Sequence, residues 1–253
     1  LNSHNWKPAE LQNPINENEP LLRGSLFRSL FAAVNSNFKK GYTSIKVFEA
    51  GNVFKKEKRG FTQFLHLSGI IYNHELRQGW NQKKFIYDFF SLKAEISKLL
   101  QTLGIQNAEF HKARSLSPFN ENVLDIFVGK QKIGIIGEID LSVTEKLIKK
   151  NAYGFEIYPE KISLFFKNPK IKMTSKFPLS ARDINIVLDK SIIYQKVKNS
   201  IAQGSIKNLT SFHLINTFEG KDIPEGFVSM TLRFTFQSNT KSLLDSEINE
   251  SMQ

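Results

Sequence analysis

Cysteine is absent from the 253 residues, which excludes disulfides and thiolate metal sites and permits a reducing compartment. No apolar run approaches the roughly 20 residues of a membrane-spanning helix, and the segment from Leu1 to Leu11 is no signal peptide. The missing initiator Met suggests a fragment, so a piece of a longer intracellular protein is expected. The five histidines, His4, His66, His74, His111 and His213, show no ligand spacing, and no metal site is expected among them. Gly134-x-x-Gly137 lacks a following lysine and helix, which argues against a phosphate loop. Acidic residues are the scarcer charge, 24 against 35 Lys and Arg, for a net +11. Phosphate neutralisation dominates sequence-independent nucleic-acid affinity, but a biased genome rich in Lys, Asn, Ile and Phe explains the excess equally well. Residues 170–253 hold 11 basic against 8 acidic residues, +3, and the remainder carries +8.

What is present divides at a Lys- and Pro-rich stretch, residues 167–176, read as a linker. Before it, residues 1–166 read as one mixed α+β domain with a mainly antiparallel sheet. Leu22, Leu26, Leu30 and Val34, with Phe27, Phe31 and Phe38 beside them, give a wide apolar helical stripe from Leu21 to Gly41. A stripe of that width is either deeply buried or pairs with another subunit. Strands are expected at 44–50 and 64–72, joined through the basic Lys55 to Arg59. A helix follows from Asp88, its N-cap, to Leu103, with Gly104 at its end. Short strands at 108–113, 123–128 and 132–136, a helix at 141–150 and a strand at 153–158 complete the domain, with Gly129 in a hairpin turn.

After the linker the order is strand, helix, strand, strand, helix. The apolar run Ile184 to Leu188 is followed by Ile192, Ile193, Val197 and Ile201 on one helical face, ended by Gly204. Two alternating segments, 209–218 and 227–236, come next, and a helix from Ser242 onward with Ser242 or Asp245 as cap. One more strand would complete a ferredoxin-like sandwich, with two helices on one face of an antiparallel sheet and the other face open. Open sheets of this kind stack unpaired RNA bases.

These residues carry a resemblance. Phe177-Pro178-x-x-x-Arg182-Asp183-Ile184, Leu214 to Gly220, Pro224 to Ser229 and Lys241 to Ile248 resemble the ferredoxin-fold anticodon-binding domain of phenylalanyl-tRNA synthetase. Asn13-Pro14-Ile15, Pro20 to Leu26, Val47 to Phe54, Asp88 to Lys93 and Ile133 to Ile139 are similar to the catalytic-like, class II synthetase-like module of its bacterial-type beta subunit. The resemblance implies a holoenzyme that joins L-phenylalanine to its tRNA as an (αβ)2 heterotetramer, with ATP and Mg2+ held by the alpha subunit. This portion would be non-catalytic and bind neither. A cytoplasmic or organellar, for example plastid, location fits. No strand-borne arginine for an ATP phosphate stands in Val47 to Phe54, and Glu138 follows the glycine-rich strand where a phosphate would be repelled. At Leu116 to Phe119 the family's His-Pro-Gly-like turn is missing.

In the family's Asp-x-Tyr-x-Gly pattern, Asn216 replaces the Asp and Phe218 the Tyr, so stacking survives and a hydroxyl hydrogen bond is lost. Alternatively Phe218 closes a strand end over the core. Ser229 is placed to read a base edge, or is an ordinary exposed strand serine. Arg182 contacts phosphate or pairs with Asp183 or Glu219. Arg233 and Gln237 lie an even number of positions from Ser229 and with Lys241 form the candidate RNA face, leaving Met230, Leu232, Phe234 and Phe236 toward the helices. Leu22, Leu26, Phe27 and Leu30 are the candidates for contact with an alpha subunit. Two alternatives remain open: an active single-chain organellar synthetase of the same family, and a non-synthetase RNA-binding module.

Overall fold

The computed structural model describes residues 6–7, 9–13, 21–42, 44–72, 75–76, 85–114, 116–144, 151–168, 175–220 and 222–252. The chain divides into two compact units, 1–169 and 170–253. Both are α+β with antiparallel sheets.

In the first unit, β1 (Ala9–Glu10) pairs with β2 (Leu21–Leu22), so Leu21 and Leu22 are extended and do not open a helix. Helix α1 starts only at Phe27 and runs to Lys39. Strands β3 (Ile45–Lys56) and β4 (Phe61–Tyr72) form a long hairpin, far longer than the expected strand at 44–50. After the short pair β5 (Glu75–Leu76) and β6 (Phe85–Ile86) comes helix α2 (Phe89–Thr102). Asp88 caps it as expected, accepting from Ser91 N at 2.8 Å, and Ser91 Oγ accepts from Asp88 N in return. Then follow β7 (Ala108–Lys112), β8 (Phe119–Val128), β9 (Gln131–Ile139), β10 (Ala152–Ile157) and the single helical turn α3 (Pro159–Ile162). Of the helix expected at 141–150, a 3-10 turn at Leu141–Thr144 is present and 145–150 lie outside the described residues.

The six long strands make one antiparallel sheet in the order β3-β4-β10-β9-β8-β7. Period-two alternation sends Ile70 and Tyr72 of β4 to the cluster around α1, and Ile71 between them to the cluster around α2. The helices therefore cover opposite faces.

This arrangement corrects one expectation. Leu26, Phe27, Leu30 and Val34 are at most 2 % exposed and pack with Phe31, Val53, Ile70 and Phe119 inside the unit. The wide stripe of α1 is consumed by its own sheet, so Leu26, Phe27 and Leu30 present no surface to a second chain. Leu22 is half-buried on β2 and lies outside the helix altogether.

The second unit contains β11 (Ser180–Asp189), α4 (Tyr194–Gln203), β12 (Leu209–Phe218), β13 (Phe227–Phe236) and α5 (Asp245–Ser251). The sheet order is β11-β13-β12, with β13 in the centre. Residues of α4 and α5 join one cluster with Ile184, Ile186, Phe212, Leu214, Leu232, Phe234 and Phe236, so both helices cover the same face. Neither expected cap holds α5; Glu247 instead accepts from Leu244 N at 3.0 Å.

Candidate nucleic-acid interface

Strand β13 sorts its side chains cleanly. Val228, Met230, Leu232, Phe234 and Phe236 are buried beneath the helices, and Phe227, Ser229, Thr231, Arg233 and Thr235 point the other way. Pairing extends each of these outward residues into a row across the sheet. Val187, Ser229 and Phe218 make one row, Asn185, Thr231 and Asn216 the next, and Asp183, Arg233 and His213 the third.

Phe218 reaches this face through an irregularity. Phe212 and Leu214 of β12 point into the core, and strict alternation would send Asn216 and Phe218 after them. The register shifts between Leu214, opposite Leu232, and Asn216, opposite Thr231, leaving Ile215 as the extra residue of a β-bulge. The bulge reverses the phase of the strand end. Phe218 is in consequence 50 % exposed on the open face, opposite Ser229. Its ring tip lies against Gly220, where an added Cβ would come within 2.5 Å of Cζ.

The charged end of the face is closed on itself. Arg233 donates from Nε to Asp183 Oδ1 and from a terminal nitrogen to Oδ2, both at 2.7 Å. This two-pronged hydrogen bond, aided by the guanidinium charge, holds the Asp183 carboxyl below the usual carboxylate range. In the middle row Thr231 Oγ1 donates to Asn185 Oδ1 at 2.6 Å.

The expected site residues thus separate. Phe218, Ser229 and Arg233 share the open face. Arg182 does not: β11 begins at Ser180, which puts Arg182 opposite Phe234 on the helix side. There it pairs with Asp245 of α5, neither of the partners expected for it. Lys241 lies beyond β13 and pairs with Glu247 of α5, and Gln237 donates to the Phe177 carbonyl at 2.7 Å. Asn185, Val187 and His213 belong to the face without having been expected there. The run Ile184 to Leu188 hides its own alternation, because Val187 is as apolar as its inward neighbours and yet 49 % exposed.

Comparison with known families decides the lineage. The model of the family described as phenylalanyl tRNA synthetase beta chain CLM domain matches residues 1–158, and that of the ferredoxin-fold anticodon binding domain matches 175–253. The chain belongs to the phenylalanyl-tRNA synthetase beta-chain family. It is 31 % identical over 257 residues to the phenylalanine–tRNA ligase beta subunit of Wigglesworthia glossinidia brevipalpis, covering 96 % of this chain and 31 % of that one. The Thermotoga maritima beta subunit is 29 % identical over 246 residues, with the same coverage. The chloroplastic beta subunit of Phaeodactylum tricornutum is 28 % identical over 249 residues, 94 % of this chain and 35 % of that one. The chain spans about a third of the length of these relatives.

In this beta-chain member the sheet of the first unit carries a row of carboxylates on its α1 face. Glu49, Glu156 and Asp125 stand in a single row across the α1 face of the sheet, through the pairings Glu49 to Ser68, Ser68 to Glu156, Glu156 to Ile135 and Ile135 to Asp125. Two cations pair with this row, Arg23 with Glu49 and Lys132 with Asp125, each at 2.5 Å. Glu156 is fully buried, accepts from Ser68 Oγ at 3.3 Å and lies 3.5 Å from His66 Nδ1. Burial, reinforced by Glu156, raises the Tyr158 hydroxyl far above its ordinary value. Glu138 lies on the other face, paired opposite Tyr153, and accepts from Asn122 Nδ2 at 2.8 Å. A cavity of about 220 Å3 beside this cluster is lined by Trp6, Phe64, His66, Tyr158, Lys132, Lys161 and Glu160, among others. Among the described residues no helix is long and apolar enough to cross a membrane.

Proposed function

We propose that this chain serves as a non-catalytic portion of the beta subunit of a phenylalanine–tRNA ligase, binding the anticodon of tRNA(Phe) on the open face of the β11-β13-β12 sheet. The observation that carries it is the half-exposed Phe218 opposite Ser229, with the Asn185, Thr231 and Asn216 row beside it. An exposed ring supplies sequence-tolerant stacking, and the flanking hydroxyl and amides supply the donors and acceptors that distinguish base edges. Arg233 contributes by fixing Asp183 and, with it, the charged border of the face. Arg182 and Lys241 act at one remove, the first tying α5 to β11 and the second tying it to the segment that follows β13.

ATP and Mg2+ belong on the alpha-subunit partner in this reading, since the carboxylate row of the first unit opposes phosphate. The same row disfavours an active single-chain organellar enzyme. Assembly into an (αβ)2 heterotetramer would use surfaces other than the buried stripe of α1. A cytoplasmic or plastid location is proposed, the latter in line with the relative named as chloroplastic.

The test is binding of this chain to tRNA carrying the phenylalanine anticodon against the same tRNA with its first anticodon base replaced, at fixed salt. Wild type should prefer the first. Phe218→Ala should lose about 1–3 kcal/mol, roughly 5- to 150-fold, on that RNA. Equal affinity of wild type for both, unchanged by Phe218→Ala, would overturn the reading.

A further inference from the structure

The proposed RNA face is not basic. Arg233 is its one cation among the described residues of the three strands' outward rows, set against Asp183 and Asp189, so the rows total −1 with His213 neutral. Lys190 and Glu219 at its margin pair with each other at 2.6 Å and cancel. Stacking and base-edge contacts are available there, but counterion release from phosphates is not. Since the chain carries +11, its positive charge must lie elsewhere.

It is concentrated at the tip of the β3–β4 hairpin. Lys55, Lys56, Lys58 and Arg59 occupy four of five successive positions, and Lys56 N donates to the Lys7 carbonyl at 3.3 Å, which brings a fifth cation to the same tip. Against these stands Glu57, paired with Lys55 at 2.9 Å. The tip totals +4. Among the described residues Lys7, Lys56, Lys58 and Arg59 have no carboxylate partner. The turn is closed by Glu57 N donating to Gly60 O at 3.1 Å, with Gly60 at φ +79°. At its base Phe54 and Phe61 meet edge to face at 5.5 Å, and Phe61 is 55 % exposed. Free cations on a built turn, next to an exposed ring, suit a polyanion that also carries flat bases.

We infer that the β3–β4 hairpin tip is a second RNA contact, binding the phosphate backbone without regard to sequence and supplying the electrostatic part of an affinity whose selectivity lies in the open sheet face. The inference takes the class of polymer from the reading above and the site from the hairpin's own charge.

The experiment is a salt titration of binding to the two tRNAs, for wild type and for the triple variant Lys56→Gln, Lys58→Gln, Arg59→Gln. These exposed side chains take no part in a core cluster, and an unchanged melting temperature checks that the fold is intact. With each neutralised phosphate worth roughly 0.7–0.9 in the slope of log affinity against log salt, the slope should become shallower by about two to three. Both tRNAs should weaken by the same factor, leaving their ratio unchanged. An unaltered slope overturns the inference. So does an equal loss of slope in a control triple, Lys39→Gln, Lys40→Gln, Lys98→Gln, which would show diffuse charge. Loss of binding to phosphatidylserine vesicles with the RNA slope retained would also overturn it, in favour of a membrane surface. Failure of the anticodon reading is a separate result, since it appears in the ratio between the two tRNAs and not in the slope.

Discussion

Deleting Ile215 should leave both the fold and RNA selectivity in place. The bulge holds one residue more than the partner strand accommodates, so removal joins Leu214, opposite Leu232, directly to Asn216, opposite Thr231. Every side chain from Asn216 to Phe218 keeps its face. The loss is the apolar contact of a side chain already 45 % exposed, roughly half of a full burial, or about 1 kcal/mol. Against it stands a ladder made regular, worth about 0.5–1.5 kcal/mol per hydrogen bond gained. Net stability should change by less than about 1 kcal/mol, read from the urea midpoint by circular dichroism with the m-value unchanged. The preference for the phenylalanine anticodon should persist. Loss of that preference in a folded variant, or a drop of more than about 3 kcal/mol, would refute the view that Ile215 is a spare residue absorbed by the bulge.

Leu30→Ala should destabilise the isolated chain by about 2–5 kcal/mol, because Leu30 is 2 % exposed in the chain's own core; a melt unchanged without any partner chain would contradict the correction made for α1. Asp183 has a folded pKa below its unfolded value, so its contribution to stability is complete above the usual aspartate range and is lost as pH falls through the lowered value. NMR titration should show the Asp183 carboxyl ionising at unusually low pH in wild type and near its ordinary value in Arg233→Gln. No change between the two would mean that the pair seen in the structure is not formed in solution.

Much of the second unit was legible because its pattern is local. The segments 209–218 and 227–236 coincide with β12 and β13, and counting by twos from Ser229 placed Arg233 on the open face and Met230, Leu232, Phe234 and Phe236 inside. Asp88 and Gly104 likewise mark α2 through chemistry that needs only near neighbours. What escaped was set by distant partners. The breadth of the α1 stripe told how much surface had to be covered but not that β3, β4 and β8 of the same chain would cover it. Arg182 was misplaced because it reads as lying before the first strand, whereas β11 starts four residues before the apolar run, at Ser180, and Arg182 then shares the inward parity of Ile184. The Ile215 bulge has no signature at all in an alternating segment. Only the register with β13 reveals it.

The alternation along β13 also bears on how such a domain can change over time. Met230, Leu232 and Phe234 secure the fold from one side, and Ser229, Thr231 and Arg233 meet the solvent from the other. Substitutions on the two sides touch different partners, so their effects should add with little cross-talk. A lineage can therefore exchange the outward residues, and with them the chemistry of the open face, without having to solve the packing of the sandwich again.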